Sequence, residues 1–169
     1  MNTLAHRSMP QRMMGAARLD ISIYEEVEAD TSATGQAAGV VAIVALCSAV
    51  GGIGGGASGA FSALISSLVG WALWAGITYL IGDKLLGGTA TWGELLRTLG
   101  FAQSPGVLFL LGGVPLVGGL IRLVVGLWIL VTGVVAIRQA LDFGTGRAIA
   151  TALLGVIPYI LLAVLLGAG

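Results

Sequence analysis

The chain has 169 residues, with eight Lys and Arg balanced by eight Asp and Glu, so its formal net charge is zero. Hydrophobic residues make up 57% and charged residues 9%, against about 45–50% and about 25% in a soluble domain, and mean hydropathy is +1.00. So few charges cannot solvate a folded globule of this length, which excludes an ordinary water-soluble domain; the absence of any basic stripe excludes a nucleic-acid binder.

The fold class read from this pattern is all-α: a polytopic membrane protein with five transmembrane helices. Residues 1–33 form a cytoplasmic N-terminal tail with an amphipathic helix, and residues 34–169 form the membrane domain. In the tail, residues 1–12 read as unstructured, and His6, the only histidine, has no metal-ligand companion there. After Pro10, Met14, Ala17, Ile21, Tyr24 and Val27 recur at steps of three and four, the period of one helical face. Glu25, Glu26, Glu28 and Asp30 fall on the other side. This predicts a single helix lying along the membrane surface or against cytoplasmic loops. The first 30 residues have no apolar core ahead of a cleavage site, so the apolar run from Ala37 reads as a retained signal-anchor.

The acidic cluster is the tail's most informative feature. Glu25, Glu28 and Asp30 could offer oxygens to a divalent cation, but no loop geometry accompanies them. Ion pairing with Arg97, Arg138 and Arg147 is the preferred reading. Tyr24 and Glu28 stand one turn apart on one face, and Asp30 precedes the first membrane helix, where the dipole favours an acid. Tyr24, Glu28, Asp30, Arg97, Arg138 and Arg147 are therefore the candidate interaction residues, docking the tail helix onto the loops.

Helix one is expected from Gly35 to Val50, with Cys47 as a small buried thiol. The glycine-rich run after it matches G-x-G-x-x-G at Gly54, Gly56 and Gly59, but no strand precedes it and no acid follows at the required spacing, so it is not a dinucleotide site. Gly51, Gly55 and Gly59 are four apart, as are Gly52, Gly56 and Ala60. Small residues at that spacing let helices approach closely in lipid. Helix two, from Ala60 to Gly82, extends the small surface through Ser62, Ser66, Ser67 and Gly70 and carries Trp71, Trp74 and Tyr79; Asp83 and Lys84 close it at a membrane surface.

Thr91 and Glu94 have the spacing of a capping box. Helix three follows from Leu95 to Gly112 with a kink at Pro105; its continuous apolar part is short, and the alternative is a re-entrant hairpin that leaves four crossings. Helix four runs from Val117 to Arg138, with Gly126 and Gly133 as further packing glycines. Arg122, about five residues in, can snorkel to the outer interface or bond loop carbonyls. Helix five runs from Arg147 to Leu166, kinked at Pro158. Five crossings place every Lys and Arg except Arg122 on one face, which the positive-inside rule makes cytoplasmic. The N-terminus is then inside and the C-terminus outside the cell inner (plasma) membrane.

The runs Arg18-Leu19-Asp20, Tyr24-Glu25-Glu26-Val27-Glu28-Ala29-Asp30 and Thr34-Gly35-Gln36-Ala37 lead straight into helix one. With Thr91-Trp92-Gly93-Glu94-Leu95-Leu96-Arg97-Thr98-Leu99-Gly100-Phe101-Ala102, Pro105, Trp128 and Arg138-Gln139-Ala140-Leu141, the sequence resembles the prokaryotic branch of the Yip1 membrane-protein family, from about residue 18 to 166. The resemblance implies a five-helix membrane domain with a cytoplasmic N-terminus. Eukaryotic members act in vesicle traffic between endoplasmic reticulum and Golgi and associate with Rab GTPases. This chain lacks their long hydrophilic N-terminal region and Asp-Leu-Tyr-Gly-Pro type motif, so Rab-type GTPase binding is not carried over.

No nucleophile–base pair, metal-ligand set or cofactor motif stands out. The expectation is a non-enzymatic membrane scaffold or interaction protein, working through other membrane proteins or self-association. It would be an accessory subunit of a larger assembly or a membrane-organisation factor. The alternative is a small homo-oligomeric transporter or channel, its pore lined by Ser62, Ser66, Thr78 or Thr132.

Overall fold

A computed structural model describes the backbone of residues 7–53 and 56–165, and their side chains except at 53, 56–58 and 156–165. The described residues form α1 (Met9–Ala17), α2 (Ile21–Ala29), α3 (Ala33–Ser48), α4 (Gly56–Tyr79), α5 (Trp92–Ala102), α6 (Gly118–Ala140) and α7 (Thr145–Leu165). Wider turns extend α3 through Ala49–Ile53 and α4 through Leu80–Leu85, and a tighter 3-10 helix, Ser104–Gly113, continues α5. No strand occurs among the described residues.

Four stretches of the described residues are long and apolar enough to cross a membrane: Ala33–Gly52, Gly59–Leu85, Trp92–Gly113 and Gly118–Ala140. Each overlaps one of the first four expected helices, with ends shifted by a few residues. The fifth, α7, runs on through Pro158 and packs along α6 and α4.

The third stretch is the centre of the bundle. In its most apolar window 61% of residues are buried, against 33%, 17% and 28% in the other three, so the other elements wrap around it. Thr91 and Glu94 cap α5 reciprocally, with Glu94 N donating to Thr91 Oγ1 at 3.3 Å and Thr91 N to Glu94 Oε2 at 2.8 Å. Pro105 stands where the α-helical ladder gives way to the 3-10 helix. A 3-10 turn rises about 2.0 Å per residue against about 1.5 Å in an α-helix, so the change lengthens a short apolar run. Glycines let its neighbours close in: a Cβ at Gly100 would lie 2.7 Å from Ala37 Cβ, and one at Gly106 would lie 2.5 Å from Val44 Cγ1.

The glycine seam divides. A Cβ at Gly51 would lie 2.0 Å from the Phe109 carbonyl oxygen, so this glycine packs α3 onto the 3-10 helix. Gly52 has φ 83, a left-handed conformation that ends the helical path. Gly133 meets the Trp74 ring, where a Cβ would be 3.3 Å away. Around Gly126 there is nothing among the described residues within 4 Å of an added Cβ. Gly59 is half-buried, and Gly55 lies outside the described residues.

The N-terminal segment departs from the single expected helix. Its helical structure starts at Met9, inside the stretch read as unstructured, and breaks at Arg18-Leu19-Asp20 into α1 and α2. Leu19 turns the chain with φ 63, and Asp20 caps α2 by accepting from Ser22 N at 3.0 Å. The break shifts the helical phase. Tyr24 and Val27 are buried as expected, but Met14 and Ile21 are exposed while Arg12 and Ala16 take the inner positions.

Candidate functional site

The α1–α2 hairpin packs on α5 and α6, and two arginines hold it. Arg12 is wholly buried and uses its guanidinium as a three-way clasp. Nε donates to Glu26 Oε1 at 2.9 Å, Nη2 to Asp30 Oδ2 at 2.7 Å and Nη1 to Gln36 Oε1 at 3.0 Å. One side chain thereby ties α1, α2 and the first turn of α3 together. Asp30 also accepts from Ser32 N at 3.0 Å and Ser32 Oγ at 2.5 Å. The hydrogen bonds from Ser32, and then from Arg12, hold the Asp30 carboxyl down at a pKa of about 2.

Arg97, on α5, is buried and reaches the end of α2. Its Nε donates to the Val27 carbonyl at 2.8 Å and the Glu28 carbonyl at 3.1 Å, and Nη2 also donates to the Glu28 carbonyl. Those carbonyls belong to the last turn of a helix, where no intrahelical donor is available. A cation is doubly favoured there, as a donor and as a complement to the negative end of the dipole. Tyr24 fastens the other side: its hydroxyl donates to the Ala16 carbonyl at 3.0 Å, and burial holds its pKa well above the ordinary range.

Of the six residues expected to interact, the fold thus brings Tyr24, Glu28, Asp30 and Arg97 to the hairpin, with changed partners. Asp30 pairs with Arg12 and not with Arg97, Arg138 or Arg147. Arg97 meets the Glu28 backbone rather than its carboxylate. The Glu28 carboxyl, half-buried beside Glu94 and Asp142, is pushed up to about 7, first by desolvation and then by those two negative neighbours, with Arg97 opposing. Arg138 has no side-chain hydrogen bond or ion pair among the described residues. Arg147 lies over the Phe143 ring, 4.5 Å from its centroid.

Sequence reasoning missed Arg12, Glu26 and Gln36. A signal was present: Glu26 and Asp30 are four apart in sequence, a spacing at which one cation can reach both. Trp128, on α6, also joins the site, donating from Nε1 to the Ala17 carbonyl at 2.8 Å. Among the described residues no group of three His, Cys, Asp or Glu is gathered as a metal site; the carboxylates of Asp30 and Glu26 are turned onto Arg12.

At the far end of the bundle Arg122 donates from Nη2 to the Gly51 carbonyl at 3.3 Å, the loop contact expected of it. The polar groups considered for a pore separate. Thr132 is buried and donates to the Ala102 carbonyl at 2.6 Å, Thr78 is buried, and Ser62 and Ser66 are exposed on α4. Compared with known families, the chain matches the Yip1 domain over residues 23–168. No curated protein and no solved structure matches it.

Proposed function

The chain belongs to the Yip1 domain family, and from that premise we propose that it is a non-enzymatic membrane scaffold whose α1–α2 hairpin is a docking platform for a partner. The observation that carries this reading is the investment in the hairpin: a wholly buried arginine ties its two helices to α3, and a second arginine from α5 caps the end of α2. A solvated tail needs no such fixture. Five crossings, an N-terminus in the cytoplasm of a prokaryotic cell and a C-terminus outside the inner membrane complete the proposal. Its support is the positive-inside rule applied to the seven basic residues other than Arg122.

The test is affinity purification of the full chain in mild detergent, followed by mass spectrometry, with wild type and Arg12→Ala side by side. A stoichiometric membrane-protein partner, reduced several-fold in the variant, is the expected result. A second reading draws on the exposed Ser62 and Ser66, four apart on the outer face of α4, where a second copy could pack. A pure homo-oligomer indifferent to Arg12 would replace the scaffold with that self-associating transporter or channel.

A further inference from the structure

Two buried polar groups on α4 break a pattern that the rest of the chain keeps. Thr78, Thr98, Thr132 and Thr151 are all wholly buried. Thr98, Thr132 and Thr151 donate to the carbonyl four residues back, at 2.9, 3.1 and 2.9 Å, the common way for a helix to absorb a threonine hydroxyl. Thr78 makes no such bond, and its Oγ1 is buried without a partner. The four tryptophans divide in the same way. Trp71, Trp92 and Trp128 each donate from Nε1 to a carbonyl, whereas Trp74 Nε1 is buried without a partner. The two exceptions are four residues apart, so they share one face of α4, one turn from each other.

That face meets α7 at Gly155. The nearest neighbours of a Cβ placed there would be Trp74 Nε1 at 3.6 Å, Ile77 Cγ2 at 3.9 Å and Thr78 Oγ1 at 3.9 Å. The glycine thus leaves room for a methyl group, which is also room for a water. The same helix supplies an acceptor. Pro158 has no N–H, so the Leu154 carbonyl loses its α-helical donor. Pro158 stands three residues on from Gly155 and shares its face, which places the freed carbonyl on the α4 side of α7. Within a membrane, a carbonyl freed by proline is served by a neighbouring helix, a hydroxyl or an ordered water. A buried water makes about three hydrogen bonds. Here it accepts from the indole N–H, donates to the carbonyl and exchanges its third bond with the hydroxyl.

We infer that α4 and α7 hold one water at Gly155, bound by Trp74 Nε1, Thr78 Oγ1 and the Leu154 carbonyl, and that this water seats the proline-bearing part of α7 on α4. The inference draws nothing from the scaffold reading. Its first test is NMR transfer of magnetisation from water to the tryptophan indole protons, on the full chain in a detergent without hydroxyl groups. The Trp74 signal, assigned by its loss in Trp74→Phe, shows a cross-peak to a long-lived water. The Trp71 signal, whose Nε1 is engaged by the Leu96 carbonyl at 3.0 Å, shows none. The Trp74 cross-peak persists in Thr78→Val, which separates a bound water from proton exchange through the hydroxyl.

The second test is Gly155→Ala. Its methyl meets only ordinary contacts, so in a dry joint it fills space, gains helix propensity and melts at or above wild type. Displacing a bound water instead strands an indole N–H, a hydroxyl and a carbonyl. The expected variant is folded, melts about 2–4 °C below wild type and lacks the Trp74 cross-peak. No cross-peak at Trp74 in wild type overturns the inference, as does its loss in Thr78→Val. A Gly155→Ala chain that melts at or above wild type overturns it too. So does one that keeps the cross-peak, since the water would then lie elsewhere.

Discussion

Arg97 and Glu28 meet at one turn of α2, yet their side chains act separately. Arg97 serves the backbone, so Arg97→Ala leaves the Val27 and Glu28 carbonyls without their donor, at about 1–3 kcal/mol for each buried group left unsatisfied. The expected result is at least tenfold faster tryptic cleavage at Arg18, with the helical content of the membrane domain unchanged by circular dichroism. Arg97→Lys should recover only part of the loss, because one ammonium lacks the fork that spans two carbonyls. The Glu28 carboxyl gives a pH signature. Its folded pKa of about 7 lies above the ordinary 4.5, so its contribution to docking is full below pH 4.5 and is lost as pH rises through about 7. Asp30, at about 2 against 3.8, contributes above pH 3.8 and loses that contribution as pH falls through about 2. Hydrogen exchange of the α2 amides, corrected for intrinsic rate, should therefore be slowest between these limits and quicken towards pH 8. Glu28→Gln should abolish the rise on the alkaline side.

The elements test packing through their glycines. Gly51→Ala forces a Cβ into the Phe109 carbonyl, 2.0 Å away and backbone on both sides, so α3 and the 3-10 helix must separate. Gly126→Ala meets open space and gains helix propensity, up to about 1 kcal/mol. The first variant should lose monodisperse protein in detergent and the second should melt at or above the wild-type temperature. Both glycines read identically in sequence as small residues on apolar helices, since spacing shows which residues share a face but not what stands opposite. The membrane helices themselves were legible because their length and apolarity are set by the bilayer, and the Thr91–Glu94 cap because its partners are local. The hairpin was not, because its turn uses Arg18-Leu19-Asp20 with neither Gly nor Pro, and an unbroken period carried Met14 and Ile21 onto the wrong side. Once α1 was missed, Asp30 lost its true counter-charge, Arg12, and the more distant Arg138 and Arg147 took its place. The 3-10 continuation beyond Pro105 is likewise a tertiary outcome, imposed by the close approach of α3 and α6.

At the scale of the whole molecule the open question is which way the bundle faces and whether α7 completes a fifth crossing. With 21 residues, α7 is about 32 Å long, enough for a hydrocarbon core of about 30 Å, and it starts at the end of the bundle where Arg138 and Arg147 lie. The turn between the 3-10 helix and α6 lies at the other end, where Arg122 meets Gly51 and Leu116 is fully exposed. The proposed orientation, drawn from the positive-inside rule, puts the Arg138–Arg147 end in the cytoplasm and the Leu116 turn outside. In a Cys47→Ser background, Leu116→Cys should therefore react with an impermeant maleimide in intact cells. Gly144→Cys, exposed with open space around it, should react only after permeabilisation. A cleavable tag fused after Gly169 should be removed by protease added outside. Labelling of Gly144→Cys but not Leu116→Cys in intact cells would invert the orientation. Labelling of Leu116→Cys with a protected tag would keep the orientation and reduce the crossings to four, leaving α7 on the inner side beside the hairpin.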